Sequence, residues 1–198
     1  MTIRNAVVGI SAVVLAGCAG DTGINREAGT MLEPMSKPAT VPTEITWAGT
    51  GANGVQKVLS VNGGMVTWQR TEGDHAGCQW TDDGWFAPSS TWSGCRTADG
   101  EQEFAKTGSI WPLEVGTSES YDVKGQNSSD SWQTTRNCTV KSAVLVTVGE
   151  RELPAYEVAC EDKWSVQTWY VSPELEMPVR YKNWNKKGGL RTDVTAVL

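Results

Sequence analysis

The sequence predicts an all-β protein: an antiparallel meander curled into a sheet or partly closed barrel, with two hairpin disulfides and a disordered N-terminal tether. Three observations carry this prediction. From Glu44 onward the apolar residues recur with period two, which places them on one face of a strand rather than along a helix. Turn residues interrupt the pattern every 8–12 residues, as in a meander of short strands. Gly (21) and Pro (8) are also too frequent in a chain of 198 residues for a helical bundle.

The elements follow in order. Val55, Lys57, Leu59 and Val61 alternate with Gln56, Val58, Ser60 and Asn62, and Asn62-Gly63-Gly64 supplies the positive φ angles of a tight hairpin turn. Met65 to Arg70 then runs back, and Asp82-Asp83-Gly84 reads as a further turn. Val144, Val146 and Val148 share a face, with a turn expected at Gly149. Tyr156, Val158 and Cys160 share a face of the next strand. Trp164, Val166, Thr168 and Tyr170 form another set, and Leu190, Thr192, Val194 and Ala196 end the chain. The helical windows are one turn near Pro173-Glu174-Leu175 and one in the tether. A flat sheet this long would leave a face bare, so it is expected to curl.

The first residues give an address. Arg4 lies in a short positive head, and Ala6 to Ala16 is an apolar run too short for a permanent span but right for the core of a secretion signal. It ends in Leu15-Ala16-Gly17-Cys18, which resembles the lipobox of bacterial lipoproteins. That resemblance implies cleavage after a signal peptide of residues 1–17, a diacylglycerol thioether on Cys18 and an acylated new amine, with palmitate-type chains. Several chains give stable anchoring where one is marginal. In the resembled family, Ala19 in place of an Asp implies the periplasmic face of the outer membrane. Residues 18–43, punctuated by Pro34, Pro38 and Pro42, read as the lipidated Cys and a flexible tether, the alternative being an edge segment packed on the domain. Residues 44–198 form a single all-β domain.

A formal charge of −6 leaves no basic excess for displacing counterions from phosphates, so nucleic acid is excluded as a partner. Lys182, Lys186, Lys187 and Arg191 surround Trp184 beside Gly188-Gly189, as at a solvated hairpin tip. With Cys18 acylated, four Cys remain in an oxidising compartment and allow three pairings. Hairpin reflection favours Cys138 with Cys160 about Gly149, and Cys78 with Cys95 about Phe86-Ala87. Each bridge closes a loop of about 17–22 residues, worth about 3 kcal/mol in the entropic description. The Cys spacings do not suit zinc, and no metal or other cofactor is expected.

Chemistry is hard to find in this chain. His75, the one His, sits in a polar turn with no nucleophile elbow anywhere in the sequence. Asp82-Asp83 is the densest carboxylate pair, but neighbours on a strand point to opposite faces. Ten Trp against two Phe leave two readings, core filling and a binding groove. Trp68, Trp80, Trp85, Trp92, Trp169 and Trp184 are the candidate ligand-binding residues.

Ile110-Trp111-Pro112-Leu113-Glu114-Val115-Gly116, then Pro154-Ala155-Tyr156, then Trp169-Tyr170-Val171-Ser172-Pro173-Glu174-Leu175 occur in that order. Residues 108–185 thereby resemble a group of β-rich envelope lipoproteins of Gram-negative bacteria with WPLxVG, PAGxF and WYxSPEL motifs. Tyr156 and Glu176 depart from the pattern, Glu176 standing where the motif has a Gly. The group has no settled activity, so the resemblance implies fold and not catalysis. The expected function is therefore non-enzymatic: an outer-membrane-anchored binding or accessory module for an envelope protein, glycan or lipid. The alternatives are a carrier of a lipid-like ligand in a Trp-lined β cavity and, behind it, a hydrolase.

Overall fold

The computed structural model describes residues 22–26 and 31–198 of the chain, so the signal sequence and Cys18 lie outside the described residues. Thirteen strands make one sheet. The first half comprises β1 (Ile24–Asn25), β2 (Glu44–Thr50), β3 (Gly54–Asn62), β4 (Met65–Arg70), β5 (Gln79–Asp82), β6 (Thr91–Ser93) and β7 (Gly100–Ser109). The second comprises β8 (Ser118–Asn127), β9 (Ser131–Val148), β10 (Arg151–Glu161), β11 (Ser165–Ser172), β12 (Met177–Asn185) and β13 (Gly189–Ala196). Every pairing is antiparallel. β13 returns to β2, and β9 pairs with both β8 and β10, so β2 to β13 close into a twelve-stranded barrel with β1 as an extra strand outside the ring. The expected curl is complete. No helix occurs among the described residues, and Pro173 to Glu176 is a plain turn.

Sequence and geometry agree at the turns. Gly63 and Gly64 both take positive φ (59° and 85°) between β3 and β4. Val148 pairs with Arg151 across the turn at Gly149. Both disulfides form as the reflections suggest, Cys78 with Cys95 and Cys138 with Cys160. The second is fully buried in the barrel core. The reflection midpoint Phe86-Ala87 lies in an eight-residue connection from β5 to β6 that folds inward. Phe86 and Ala87 are buried, and Phe86 packs against Trp111 and Trp169. Its carbonyl oxygen sits within 3.9 Å of both sulfurs of the Cys138–Cys160 bridge. Turn residues such as Asp83-Gly84 marked the loop; only its burial against the disulfide was invisible.

Two apolar clusters occupy the interior, one around Tyr121, Val140, Val158 and Phe86, the other around Trp47, Val66, Trp68 and Val194. A third contains Val144, Val146, Val148, Leu153, Ala155 and Tyr170. On β10 the third cluster uses odd residues and the first uses even ones, so the two lie on opposite faces of the sheet. A β-bulge makes this possible. The β9–β10 register steps from Ser142 to Val140 and leaves Lys141 without a partner residue, which transfers the even residues of β9 from one face to the other.

The third cluster lies beside a bare edge. β8 ends its pairing at Thr139, and beyond it Leu145 and Val146 take Asn25 and Ile24 as partners. Ile24 also packs on the third cluster. The described residues of the tether thus touch the barrel here and at Met35, which exchanges two backbone hydrogen bonds with Leu113 (3.0 and 2.8 Å). Arg26 grips the buried Glu157 through both carboxylate oxygens, and Glu157 also accepts from Ser142 (2.6 Å) and Tyr170 (3.2 Å). Burial works to raise the Glu157 carboxyl, but the Arg26 and hydroxyl donors outweigh it and hold it below its ordinary value.

Two predictions follow from this frame. Glu176 holds a left-handed φ of 52° where the resembled motif has Gly; Glu176→Gly therefore raises stability by about 0.5–1 kcal/mol in denaturant melts, the relief of side-chain clash less the entropy of a freer unfolded chain. Glu157→Gln loses the charged contact to Arg26 and costs about 1–2 kcal/mol at pH 7. A depressed carboxylate stabilises above its unfolded pKa and loses that contribution as pH falls through the folded value. The gap between wild type and Glu157→Gln should accordingly narrow as pH falls below about 4, and a gap of unchanged size at every pH down to acid unfolding refutes the assignment.

Candidate functional site

A twelve-stranded barrel is wider than its inward side chains can fill, since eight strands already leave just enough room for them. The surplus is a cavity of about 470 Å³, within the range of small-molecule sites. Five of the six candidate tryptophans line it: Trp68, Trp80, Trp85, Trp92 and Trp169. Trp184 does not. It stands half exposed on the outer face, in a shallow groove with Leu190 and Lys182. Trp47, Trp132 and Trp164 complete the aromatic wall.

The indoles are held by their edges. Trp47 donates to Gln56 (3.0 Å), Trp68 to Asp82 (3.3 Å), Trp92 to the Ala98 carbonyl (2.8 Å) and Trp132 to Gln102 (3.3 Å). With these four N–H groups satisfied, the ring faces remain for apolar contact. Trp68 stacks near Trp80 with centroids 6.5 Å apart and tilts against Trp85 at 5.3 Å. Trp92 and Trp132 lie 5.8 Å apart, each flat over a glycine. A Cβ at Gly100 would fall 2.3 Å from Trp92, and one at Gly125 would fall 2.4 Å from Trp132. Those glycines are where the wall admits an indole plane.

Charged side chains share this interior. Along β4, Val66, Trp68 and Arg70 alternate inward, and all three are buried. Arg70 donates to the Ala52 carbonyl (2.6 Å). On β5, Asp82 shares a face with Trp80. Burial pushes the Asp82 carboxyl up to about 7, against the pull of the Gly84 amide and the Trp68 indole. Arg136 on β9 is buried in step with Cys138 and Val140. Its guanidinium donates to Gln167 (2.9 Å) and lies 5.4 Å from the centre of the Trp169 ring. Tyr181 packs on the other aromatic contact of Trp169 (5.0 Å), and burial keeps it a neutral phenol by raising its pKa to about 12.

These polar groups do not form a nucleophile with its base. His75 belongs to a turn with positive φ, beside Cys78 and Cys95 rather than in the cavity. Among the described residues no three His, Cys, Asp or Glu side chains gather as a metal-ligand set. What the arrangement can do is surround a small molecule with aromatic faces and offer it a few fixed polar contacts.

Sequence reasoning missed Arg70, Asp82 and Arg136 as interior groups. Their signal was parity, because each continues an inward apolar alternation with a charged residue. Comparison with protein-family models, curated proteins and solved structures finds no match to this chain.

The state of Asp82 is directly measurable. Its folded pKa lies above the unfolded value, so folding loses stability as pH rises from about 4 to about 7 and levels off beyond, a total on the order of 4 kcal/mol from this one group. Asp82→Asn should abolish that decline, leaving the variant more stable than wild type at pH 8 and nearly equal at pH 4.5 in paired denaturant melts. The same titration should move the wild-type tryptophan emission with a midpoint near 7, through the Trp68 contact.

Proposed function

We propose that this protein is a lipid-anchored binding protein of a bacterial outer membrane, holding a small amphipathic ligand inside its barrel on the periplasmic side without transforming it. The single observation that carries the reading is the Trp-walled cavity of about 470 Å³ within a closed barrel. An interior used only for stability is close-packed, whereas this one leaves ligand-sized space bounded by aromatic faces and a few polar groups, the usual composition of a small-molecule site. It favours a carrier or ligand-sensing role over docking through the outer surface. The address rests on Leu15-Ala16-Gly17-Cys18, and the two structural disulfides suit an oxidising compartment.

The test has two arms. Full-length protein expressed in a Gram-negative host should fractionate with the outer membrane and carry a diacylated Cys18 by mass spectrometry, while Cys18→Ser should appear in the soluble fraction. Purified protein should bind a naphthyl amphiphile with one-to-one stoichiometry, read by energy transfer from tryptophan. Trp169→Ala should weaken that binding at least tenfold with the circular dichroism spectrum kept. An unmodified Cys18 in wild type removes the address; failure to bind any amphipathic probe removes the carrier.

A further inference from the structure

Resting on the reading of the cavity as a ligand site, we infer that its ligand is a small organic anion, with an apolar body among the tryptophans and one oxyanion head bound by Arg136. The ground is a missing counter-charge. Arg136 is only 7% exposed, yet its Nε atom has no hydrogen-bond partner. Among the described residues no carboxylate lies within 4.0 Å of it; its contacts are Gln167 and the face of Trp169.

The other buried charges are handled differently, Arg70 apart, which donates to the Ala52 carbonyl (2.6 Å) on the same cavity wall. Arg180 makes a two-point contact with Asp193 (both 2.8 Å). Glu119 meets Lys106 at 2.8 Å, and Glu157 is gripped by Arg26. Asp82 escapes by holding its proton. A guanidinium has no such escape, since it stays charged at any ordinary pH. An unpaired buried ion is strongly unfavourable, and Arg136 is part of the cavity wall, where a ligand can supply a partner.

The geometry suits an oxyanion. The Trp169 face and the Gln167 oxygen fix the plane of the guanidinium, leaving its remaining N–H groups on the cavity side to donate to a carboxylate, sulfonate or phosphate oxygen. Trp80, Trp85 and Trp169 in the same wall present indole faces that accept an apolar body. Asp82, protonated below about pH 7, does not oppose an anion there, and the Asp162 carboxylate on the same wall already accepts from the Trp164 and Ser165 amides (2.7 and 2.8 Å). The chain as a whole is acidic, so the preference is local to the cavity and not a property of the surface field.

A matched pair of probes isolates the head group. 1-Anilinonaphthalene-8-sulfonate and N-phenyl-1-naphthylamine share one aromatic body and differ by the sulfonate. At pH 6.5 wild type should bind the sulfonate at least tenfold more tightly than the neutral amine. Arg136→Met should cost the sulfonate at least tenfold and leave the amine within twofold, with Arg136→Lys between the two. Retained binding of the amine shows that the variant has folded. Should Arg136→Met fail to fold, competition on wild type decides: decanoate should displace the sulfonate probe at a tenth or less of the concentration that decanol needs. Inorganic phosphate competing as well as decanoate would overturn the apolar body. Equal affinity for the two probes in wild type, or a preference that survives Arg136→Met, would overturn the anion while leaving the carrier standing. Absence of binding by either probe would remove both.

Discussion

Closure of the barrel through β9 is the constraint on which the rest depends. Among the described residues this strand, Ser131–Val148, is the longest and the only one hydrogen-bonded to three others, β8, β10 and β1. Its first half completes the ring with β8, and its whole second half pairs with β10. A closed ring has no edge for another chain to add to, but β9 outruns β8 and would offer one from Val140 onward. The backbone of Gly116 and Thr117 takes the first of these positions, and Ile24–Asn25 takes the last. The N-terminal segment therefore covers the exposed part of β9 outside the ring, and Arg26 beside it is held by the buried Glu157 carboxylate.

Length in β9 also determines what faces what. Before Lys141 the even residues Arg136, Cys138 and Val140 point inward; after it, Val144, Val146 and Val148 join the cluster on the other face. A single bulge thus lets one strand serve two cores. Just before the bulge, Cys138 bridges to Cys160, and Phe86 of the inward β5–β6 connection rests on that disulfide. The cavity sits above that floor. Its location follows from the strand count, which sets the width, and from the inserted connection, which fills part of that width.

Much of the frame was legible in the sequence because it rests on local chemistry. Asn62-Gly63-Gly64 announces a turn by needing positive φ, and reflection about Gly149 pairs Cys138 with Cys160 because antiparallel register is arithmetic. The site was legible in part. Clustered tryptophans marked five of the residues on the cavity wall, but composition alone does not distinguish a wall from a core. Trp184 shows the failure: it has the right residue type in a strand whose parity turns it outward. The bulge at Lys141 was not legible, since nothing in Val140-Lys141-Ser142 distinguishes a paired lysine from a skipped one. Arg70, Asp82 and Arg136 were hidden for a different reason. A charged residue continuing an inward alternation reads as a strand end or a turn until the barrel is known to be wide enough to hold it.

That width changes what burial of charge means here. In a close-packed core Arg70, Asp82 and Arg136 would be errors, each better replaced by an aliphatic side chain of similar volume. Elsewhere in this molecule the rule is kept, for the buried charges outside the cavity all have counter-ions. The three departures face one space, beside indoles of which Trp47, Trp68, Trp92 and Trp132 have their N–H groups occupied. Local violations of an otherwise consistent fold are expected where function sets the requirement. The fold thus keeps its polar groups in reserve at the one place where a molecule from outside can complete them, and the aromatic wall determines how apolar the rest of that molecule must be.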